Sequence, residues 1–179
     1  HLYVHLFFEQ HIGTSQRSSV SRFTNGSARP DSSSVSKVTK FTSSICSNDN
    51  PPETVELITE GRLIDCGEEG YTLTYQESEL TGLEGTLTTF QVEPDCITLL
   101  RMGEFNSQMV FQPGRRHFSM YDTPYGALSI GINTRKMRAA LDDHGGQIEI
   151  DYAIEIDHAV AGENAFHIDV REKEAILKQ

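Results

Sequence analysis

The sequence predicts an all-β protein whose strands form an antiparallel sandwich or barrel. Three observations lead to this prediction: apolar and polar residues alternate in several short runs, turn-forming residues separate those runs, and no long helical pattern lies between them. Short strands at nearly regular spacing are typical of antiparallel sandwiches and barrels. The alternation starts after Pro51-Pro52, so we predict one β-domain over residues 53–172 and a C-terminal tail over residues 173–179.

The clearest strand is predicted over residues 147–157. Apolar residues alternate there with residues that are almost all acidic, so one face suits a core and the other suits solvent. The apolar set is Ile148, Ile150, Tyr152, Ile154 and Ile156. The other predicted strands are Val55–Ile64, Tyr71–Gln76, Thr86–Val92, Ile97–Met102, Gln108–Gln112, Arg116–Tyr121, Ala127–Asn133 and Phe166–Val170. Turn residues such as Pro113-Gly114 lie between them.

The stretch Thr134–Asp143 is ambiguous between helix and strand. Its composition favours a helix, with Thr134 as a candidate cap and Gly145 as a stop signal. Apolar residues nevertheless continue to alternate through this stretch, but they change from even-numbered to odd-numbered positions. A β-bulge near Thr134–Lys136 would produce that switch within one bent strand. These residues alone leave both alternatives open.

Residues 1–52 differ in composition from the rest of the chain. They hold twelve of the sixteen serines and carry a net charge of +2, whereas residues 53–179 carry −13. Between Gly13 and Asn50 no apolar period is sustained, so burial cannot offset the roughly 1–2 kcal/mol of backbone entropy lost per ordered residue. We expect a disordered extension over residues 1–52. Because the chain lacks an initiator Met, we interpret it as a fragment, or the extension as upstream sequence translated in frame.

The charge and the cysteines restrict the function classes. Nucleic-acid binding depends on clustered Lys and Arg, and anionic membranes repel acidic surfaces, so a domain of charge −13 is expected to bind neither. Cys46, Cys66 and Cys96 show no metal-binding or redox spacing, which indicates free thiols in a reducing compartment and hence a cytoplasmic protein. The oligomeric state is left open, and a homodimer is one alternative.

The sequence contains no motif of a known catalytic or cofactor site. It has no nucleophile elbow, phosphate-binding loop or dinucleotide fingerprint, and its histidines lack the spacing of metal ligands. We therefore predict no cofactor, no metal site and no catalytic residue.

Several short segments resemble the YwiB-like family of uncharacterised bacterial proteins. In chain order they are Tyr75-Gln76-Glu77, Gly85-Thr86-Leu87-Thr88-Thr89, Arg101-Met102-Gly103, Phe111–Gly114, Tyr121-Asp122-Thr123-Pro124-Tyr125-Gly126 and Gly146-Gln147-Ile148. The resemblance extends from about Val55 to Arg171 and includes none of residues 1–52. It implies a single antiparallel up-and-down, lipocalin-like (calycin) β-barrel of about eight strands, and it favours the strand over Thr134–Asp143. It implies no reaction, because the function of that family is unknown.

A barrel of about eight strands is either filled by side chains or holds one small ligand. Tyr75 and Tyr152 lie on the apolar faces of their strands, so each hydroxyl either contacts a ligand or is satisfied within the core. Arg101 shares the parity of the apolar residues before it and is predicted to point inward. Its guanidinium then needs a carboxylate such as Glu77 or an anionic ligand.

The segment Tyr121–Gly126 is predicted to form a rigid corner at the rim of the barrel. Pro124 fixes its own backbone angle, and Gly126 can adopt conformations closed to other residues. Either this corner only sets the strand register, or Tyr121 and Tyr125 lie over the mouth of the barrel and bind a ligand.

The best-supported functional hypothesis is a binding protein for a small anionic or partly apolar molecule. Its candidate ligand-binding residues are Tyr75, Glu77, Arg101, Tyr121, Tyr125 and Tyr152. One alternative is an enzyme that uses an acid/base pair inside the barrel, Glu77 beside Arg101. Another is a protein-interaction domain that uses the outer face of the sheet. The locally basic residues 101–141, of net charge +4, either receive an anionic partner or pair with acidic strands beside them.

Overall fold

The computed structural model describes residues 35–47, 50–79, 83–104, 106–123 and 126–172, with side chains from residue 58 onward except those of 121–127. The described residues form ten strands and a short 3-10 turn, Gly67–Glu69. The strands are β1 Val35–Ser47, β2 Asn50–Asp65, β3 Tyr71–Gln76, β4 Thr86–Val92, β5 Ile97–Gly103, β6 Ser107–Phe111, β7 Arg116–Thr123, β8 Gly126–Asp142, β9 Gly145–Ile156 and β10 Ala159–Glu172. The all-β prediction is confirmed, with ten strands instead of about eight.

All ten strands belong to one antiparallel sheet. Its order is β6-β5-β4-β3-β2-β1-β10-β9-β8-β7, so all strands adjacent in sequence pair except β6 with β7, and β1 also pairs with β10. This order confirms the up-and-down arrangement. The two edge strands, β6 and β7, are consecutive in the chain and lie side by side. The sheet therefore curls round until its edges meet, although no backbone ladder joins those two described strands.

The strand β1 lies within the segment that the sequence predicts to be disordered. It pairs along one side with β2 and along the other with β10, with Phe41 opposite both Leu57 and Ile168. The expected domain boundary at Pro51-Pro52 is also inside a strand, since β2 begins at Asn50. The prediction of disorder is therefore wrong for residues 35–47 and 50–52, and residues 1–34 lie outside the described residues.

The two prolines fit into β2 because the ladder is irregular at that point. Ser47 is opposite Asn50 and Ile45 is opposite Glu53, so the register shifts where Pro51 and Pro52 lie. Proline cannot donate a backbone hydrogen bond, and in sheets it is confined to strand starts, edges and bulges. The two prolines, which usually interrupt a strand, are thus accommodated by a bulge at the start of a central strand.

The inner face of the sheet carries the apolar residues that the alternation predicts. In β9, Ile148 and Ile150 are completely buried, whereas Glu149 between them is partly exposed. The same alternation in the other described strands forms one core. Its buried members are Leu63, Leu73, Tyr75, Phe90, Val92, Ile97, Leu99, Met109, Phe111, Ile130, Ile132, Ile148, Ile150, Tyr152, Ile154, Phe166, Ile168 and Val170.

The ambiguous stretch Thr134–Asp143 is a strand with the predicted bulge. It continues β8 to Asp142, and the register with β9 shifts between Thr134 and Lys136. The additional residue at the shift is Arg135. Before the shift Ile132 is buried, and after it Met137 packs against the core on the switched parity. Pairing with β9 thus overrides the local preference for a helix.

Candidate functional site

Four polar side chains form a row across four adjacent strands near one end of the sheet. Tyr75 on β3 lies opposite Thr88 on β4. Thr88 in turn lies opposite Arg101 on β5, and Arg101 lies opposite Ser107 on β6. Tyr75, Thr88 and Arg101 are buried, and Arg101 is only 5% exposed. Opposite residues on antiparallel strands have Cβ atoms roughly 4.5–5.5 Å apart, so neighbours in this polar row are close.

The polar row lies directly beside an apolar layer of the core. The residues two positions away on the same four strands are Leu73, Phe90, Leu99 and Met109, and all of them are buried. Residues two apart on a strand share a face, so the polar row faces the same interior as this layer. The interior is therefore apolar through its centre and polar at the end formed by the first part of β6.

Glu77 joins the polar row from the residue just beyond β3. It is only 4% exposed, and its Oε1 accepts hydrogen bonds from the Tyr75 hydroxyl at 3.0 Å and the Thr88 hydroxyl at 2.6 Å. Its backbone amide donates to the carbonyl of Thr86 at 2.9 Å, which extends the β3–β4 pairing by one residue. We call Glu77 together with the polar row the polar cluster.

The environment of Tyr75 keeps its hydroxyl protonated. Burial raises its pKa well above the usual value of 10.0, and the nearby Glu77 carboxylate raises the pKa further. The hydroxyl is therefore a persistent hydrogen-bond donor to Glu77 over the ordinary pH range.

The polar cluster brings together three of the six predicted site residues. Tyr75 and Glu77 are hydrogen-bonded directly. Arg101 points inward as predicted and lies opposite Thr88, which itself donates to Glu77. Their ligand-binding role remains a prediction.

Tyr152 is placed in an aromatic cluster within the core. Its ring stacks on Phe166 with centroids 5.5 Å apart and lies 4.8 Å from that of Phe111. Phe90 makes an edge contact with Phe166 at 6.3 Å. These rings fill the centre of the sheet's inner face, so Tyr152 contributes packing there. Of the remaining candidates, Tyr121 has only its backbone described, in β7, and Tyr125 lies outside the described residues.

Two members of the polar cluster were missed by sequence reasoning. Thr88 shares the parity of Phe90 and Val92, so the alternation of β4 already places it on the inner face. Ser107 shares the parity of Met109 and Phe111 in the same way. The signal was present, but a threonine and a serine in a strand are more often solvent-facing.

The turn between β6 and β7 explains why those edges have no ladder. Gly114 has φ of 76°, and the amide of Arg115 donates to the carbonyl of Gln112 at 3.2 Å. Proline followed by a glycine of positive φ defines a type II turn, because proline cannot adopt the positive φ that a type I′ turn requires. Type II turns splay the strands of a two-residue hairpin.

Side chains bridge the resulting seam between β6 and β7. The Ser119 hydroxyl donates to the carbonyl of Gln108 at 2.5 Å. The backbone amide of Gln112 donates to the Thr134 hydroxyl on β8 at 3.1 Å, and the Gln112 side chain contacts His117 Nε2 at 3.0 Å. The edges of the sheet are thus held together without a regular ladder.

Three basic residues of β7 and β8 are paired with acidic residues on β9 and β10. Arg116 contacts Glu155, Arg135 contacts Glu163 at 2.5 Å, and Lys136 contacts Glu149 at 3.1 Å. A hydrogen bond from Lys136 holds the pKa of Glu149 below its usual value. This pattern supports the interpretation that the basic stretch stabilises acidic strands across the sheet.

Within the described ranges, no helix is long and apolar enough to cross a membrane. In the same ranges, no group of three or more His, Cys, Asp and Glu side chains is arranged to hold a metal ion.

The comparisons with known proteins agree with this fold. The model of a family described as a domain of unknown function, DUF1934, matches residues 40–168. The chain belongs to the DUF1934 family. The match begins inside β1, so the family's domain includes a strand that the sequence-based boundary left out.

The crystal structure of the YwiB protein from Bacillus subtilis resembles this DUF1934 chain, with a TM-score of 0.67 and 20% sequence identity. The alignment covers 78% of this chain and 92% of that one. At this identity the likeness shows a shared fold, and it supports the resemblance drawn from the sequence. No curated protein matches the chain.

Proposed function

We propose that this protein binds a small, partly apolar molecule at the polar cluster. The observation that carries the proposal is the burial of Arg101 and Glu77 on the inner face of a sheet whose adjacent layer is apolar. Taking two charged groups out of water costs several kcal/mol per ion, and apolar residues of similar volume would avoid that cost. Convergent polar groups at the end of an apolar interior are typical of small-molecule sites.

Native mass spectrometry of freshly purified protein tests the proposal. We expect a bound small molecule in the wild-type spectrum and its loss in Arg101→Met, which removes the guanidinium and keeps most of the apolar volume. Arg62→Met is the matched control, because Arg62 is exposed on β2. Circular dichroism establishes that each variant folds, and Thr88→Val replaces Arg101→Met if that variant does not. A wild-type protein without bound mass, or equal retention in both variants, would contradict the proposal.

The runner-up is an interaction between two copies through the outer face of β7. Phe118 and Met120 are 60% and 66% exposed there, and the guanidinium of Arg116 lies 4.9 Å from the Phe118 ring centroid. Arg115 and Arg116 border this apolar pair, while residues 53–179 as a whole carry −13, so a second copy offers an acidic surface to the basic border. Sedimentation velocity tests it: a dimer that Phe118→Ser abolishes supports this function, and a monomer at every concentration rejects it.

A further inference from the structure

We infer that the bound molecule presents an uncharged hydrogen-bond acceptor, such as an amide or ketone oxygen, and that Ser107 donates to it. This inference rests on the proposed function and adds to it a binding residue and a class of ligand. It depends on three features of the polar cluster: the state of the Ser107 hydroxyl, the balance of formal charge, and the apolar layer beside it.

The Ser107 hydroxyl is buried and has no hydrogen-bond partner among the described residues. It lies on the inner face at the beginning of β6, directly opposite Arg101. A buried hydroxyl without a partner costs free energy, because it loses its bonds to water and gains none in return. A ligand that accepts a bond from Ser107 removes that cost. Ser107 is therefore suited to contact the same ligand group as the neighbouring guanidinium.

The formal charges within the polar cluster already cancel. Arg101 has a formal charge of +1 and Glu77 a formal charge of −1, and Glu77 Oε1 accepts two hydroxyl bonds. An anionic ligand would add a second negative charge beside Glu77 in a site shielded from water, and like charges at short distance in low dielectric repel strongly. A carbonyl oxygen accepts from Ser107 and Arg101 without adding charge.

The rest of the ligand next to this group should be apolar. The layer beside the polar row consists of Leu73, Phe90, Leu99 and Met109, all buried. An alkyl or aryl group would be compatible with this layer, whereas a further polar group would lose its hydration there. The ligand class is thus a neutral amide or ketone with an apolar body.

The inference is tested with two probes of the same size, hexanamide and hexanoate, by ligand-observed NMR at neutral pH. We expect the wild type to bind hexanamide more tightly than hexanoate, and Ser107→Ala to weaken hexanamide binding roughly tenfold, the effect of one lost hydrogen bond. Ser129→Ala is the matched control, because Ser129 is exposed on β8. The thermal midpoint of Ser107→Ala should equal or exceed that of the wild type, since it loses a hydroxyl without a partner.

Each remaining outcome overturns the inference. Tighter binding of hexanoate would show that the site prefers an anion. If Ser107→Ala binds hexanamide as tightly as the wild type, or if the wild type does not bind it, Ser107 does not donate to such a ligand. A clear fall in the midpoint of Ser107→Ala would show a structural hydroxyl. None of these results contradicts the proposed function if native mass spectrometry finds a bound molecule whose binding requires Arg101. The proposed function fails separately if native mass spectrometry finds no bound molecule.

Discussion

At the scale of single residues, several buried polar groups of the interior are satisfied by nearby side chains and backbone amides. Glu77 is almost inaccessible to solvent, yet its Oε1 accepts two hydroxyl bonds. The buried Thr134 hydroxyl similarly accepts the amide of Gln112. Because a buried polar group without a partner is costly, removing one member of such a pair destabilises the fold beyond the loss of packing.

Tyr75→Phe is expected to change how stability depends on pH in alkaline solution. The folded state raises the pKa of Tyr75 above the usual 10.0, so it keeps a proton that the unfolded chain releases. The resulting stabilisation is complete below a pH of about 10 and is lost as the pH rises toward the raised pKa. Urea denaturation between about pH 8 and pH 11 should show a smaller loss of stability for the variant than for the wild type. Equal losses would contradict the assigned shift.

Substitution of Ile150 should destabilise the protein far more than substitution of Glu149. Ile150 is completely buried opposite Met137 and Phe166, so Ile150→Asp places an unpaired charge in the core and should unfold the protein. Glu149 is partly exposed and pairs with Lys136, so Glu149→Gln should cost no more than about 1 kcal/mol. Urea denaturation measures both free energies of unfolding. The reverse order would mean that the two faces of β9 are exchanged.

At the scale of elements, two local irregularities shape the sheet. The bulge at Arg135 lets Met137 and Leu141 pack against the same core as Ile130 and Ile132, which precede it on β8. The type II turn at Pro113-Gly114 separates β6 from β7 and leaves the seam to side chains. Each irregularity follows from a short piece of sequence, but its consequence extends across neighbouring strands.

Pro113→Asn should allow a regular β6–β7 hairpin. It creates Asn-Gly, the pair that favours a type I′ turn, whose twist matches that of the flanking strands. Hydrogen exchange of the β6 and β7 amides that face the seam should slow markedly. Pro113→Ala is the control, because it removes the proline without favouring type I′. Unchanged exchange in the asparagine variant would show that something other than the turn holds the edges apart.

At the scale of the whole molecule, β1 connects the two halves of the sheet. The order places it between β2, which leads to β6, and β10, which leads to β7. Its backbone is paired along both sides. Loss of β1 would therefore leave the two half-sheets without their shared strand and expose two new edges.

Two truncations separate β1 from the residues before it. Deleting residues 1–34 should leave the thermal midpoint within a couple of degrees, because the described sheet remains complete. Deleting residues 1–47 removes β1 and should prevent cooperative folding. Scanning calorimetry measures both. A folded product of the longer deletion with an unchanged midpoint would show that β2 and β10 do not need β1 between them.

The sequence by itself determined most of the strand pattern from β2 to β10 and the inner faces of those strands, whereas the bulged strand in β8 was favoured through the family resemblance. Period-two alternation and turn residues are local signals, so they survive in a single sequence. The same alternation placed Tyr75 and Arg101 on the inner face, and Glu77 was named as a carboxylate that could pair with an inward guanidinium.

Only the tertiary structure decided that residues 35–47 form a strand and that Thr88 and Ser107 lie beside Arg101. In β1 the stabilising hydrogen bonds come from β2 on one side and from β10, more than a hundred residues away, on the other, so its polar, Ser-rich sequence carries no apolar period that would reveal it. Thr88 and Ser107 join the cluster through cross-strand register, which depends on turn geometry as well as on composition. Non-local pairing, and not local pattern, completed both the sheet and the candidate site.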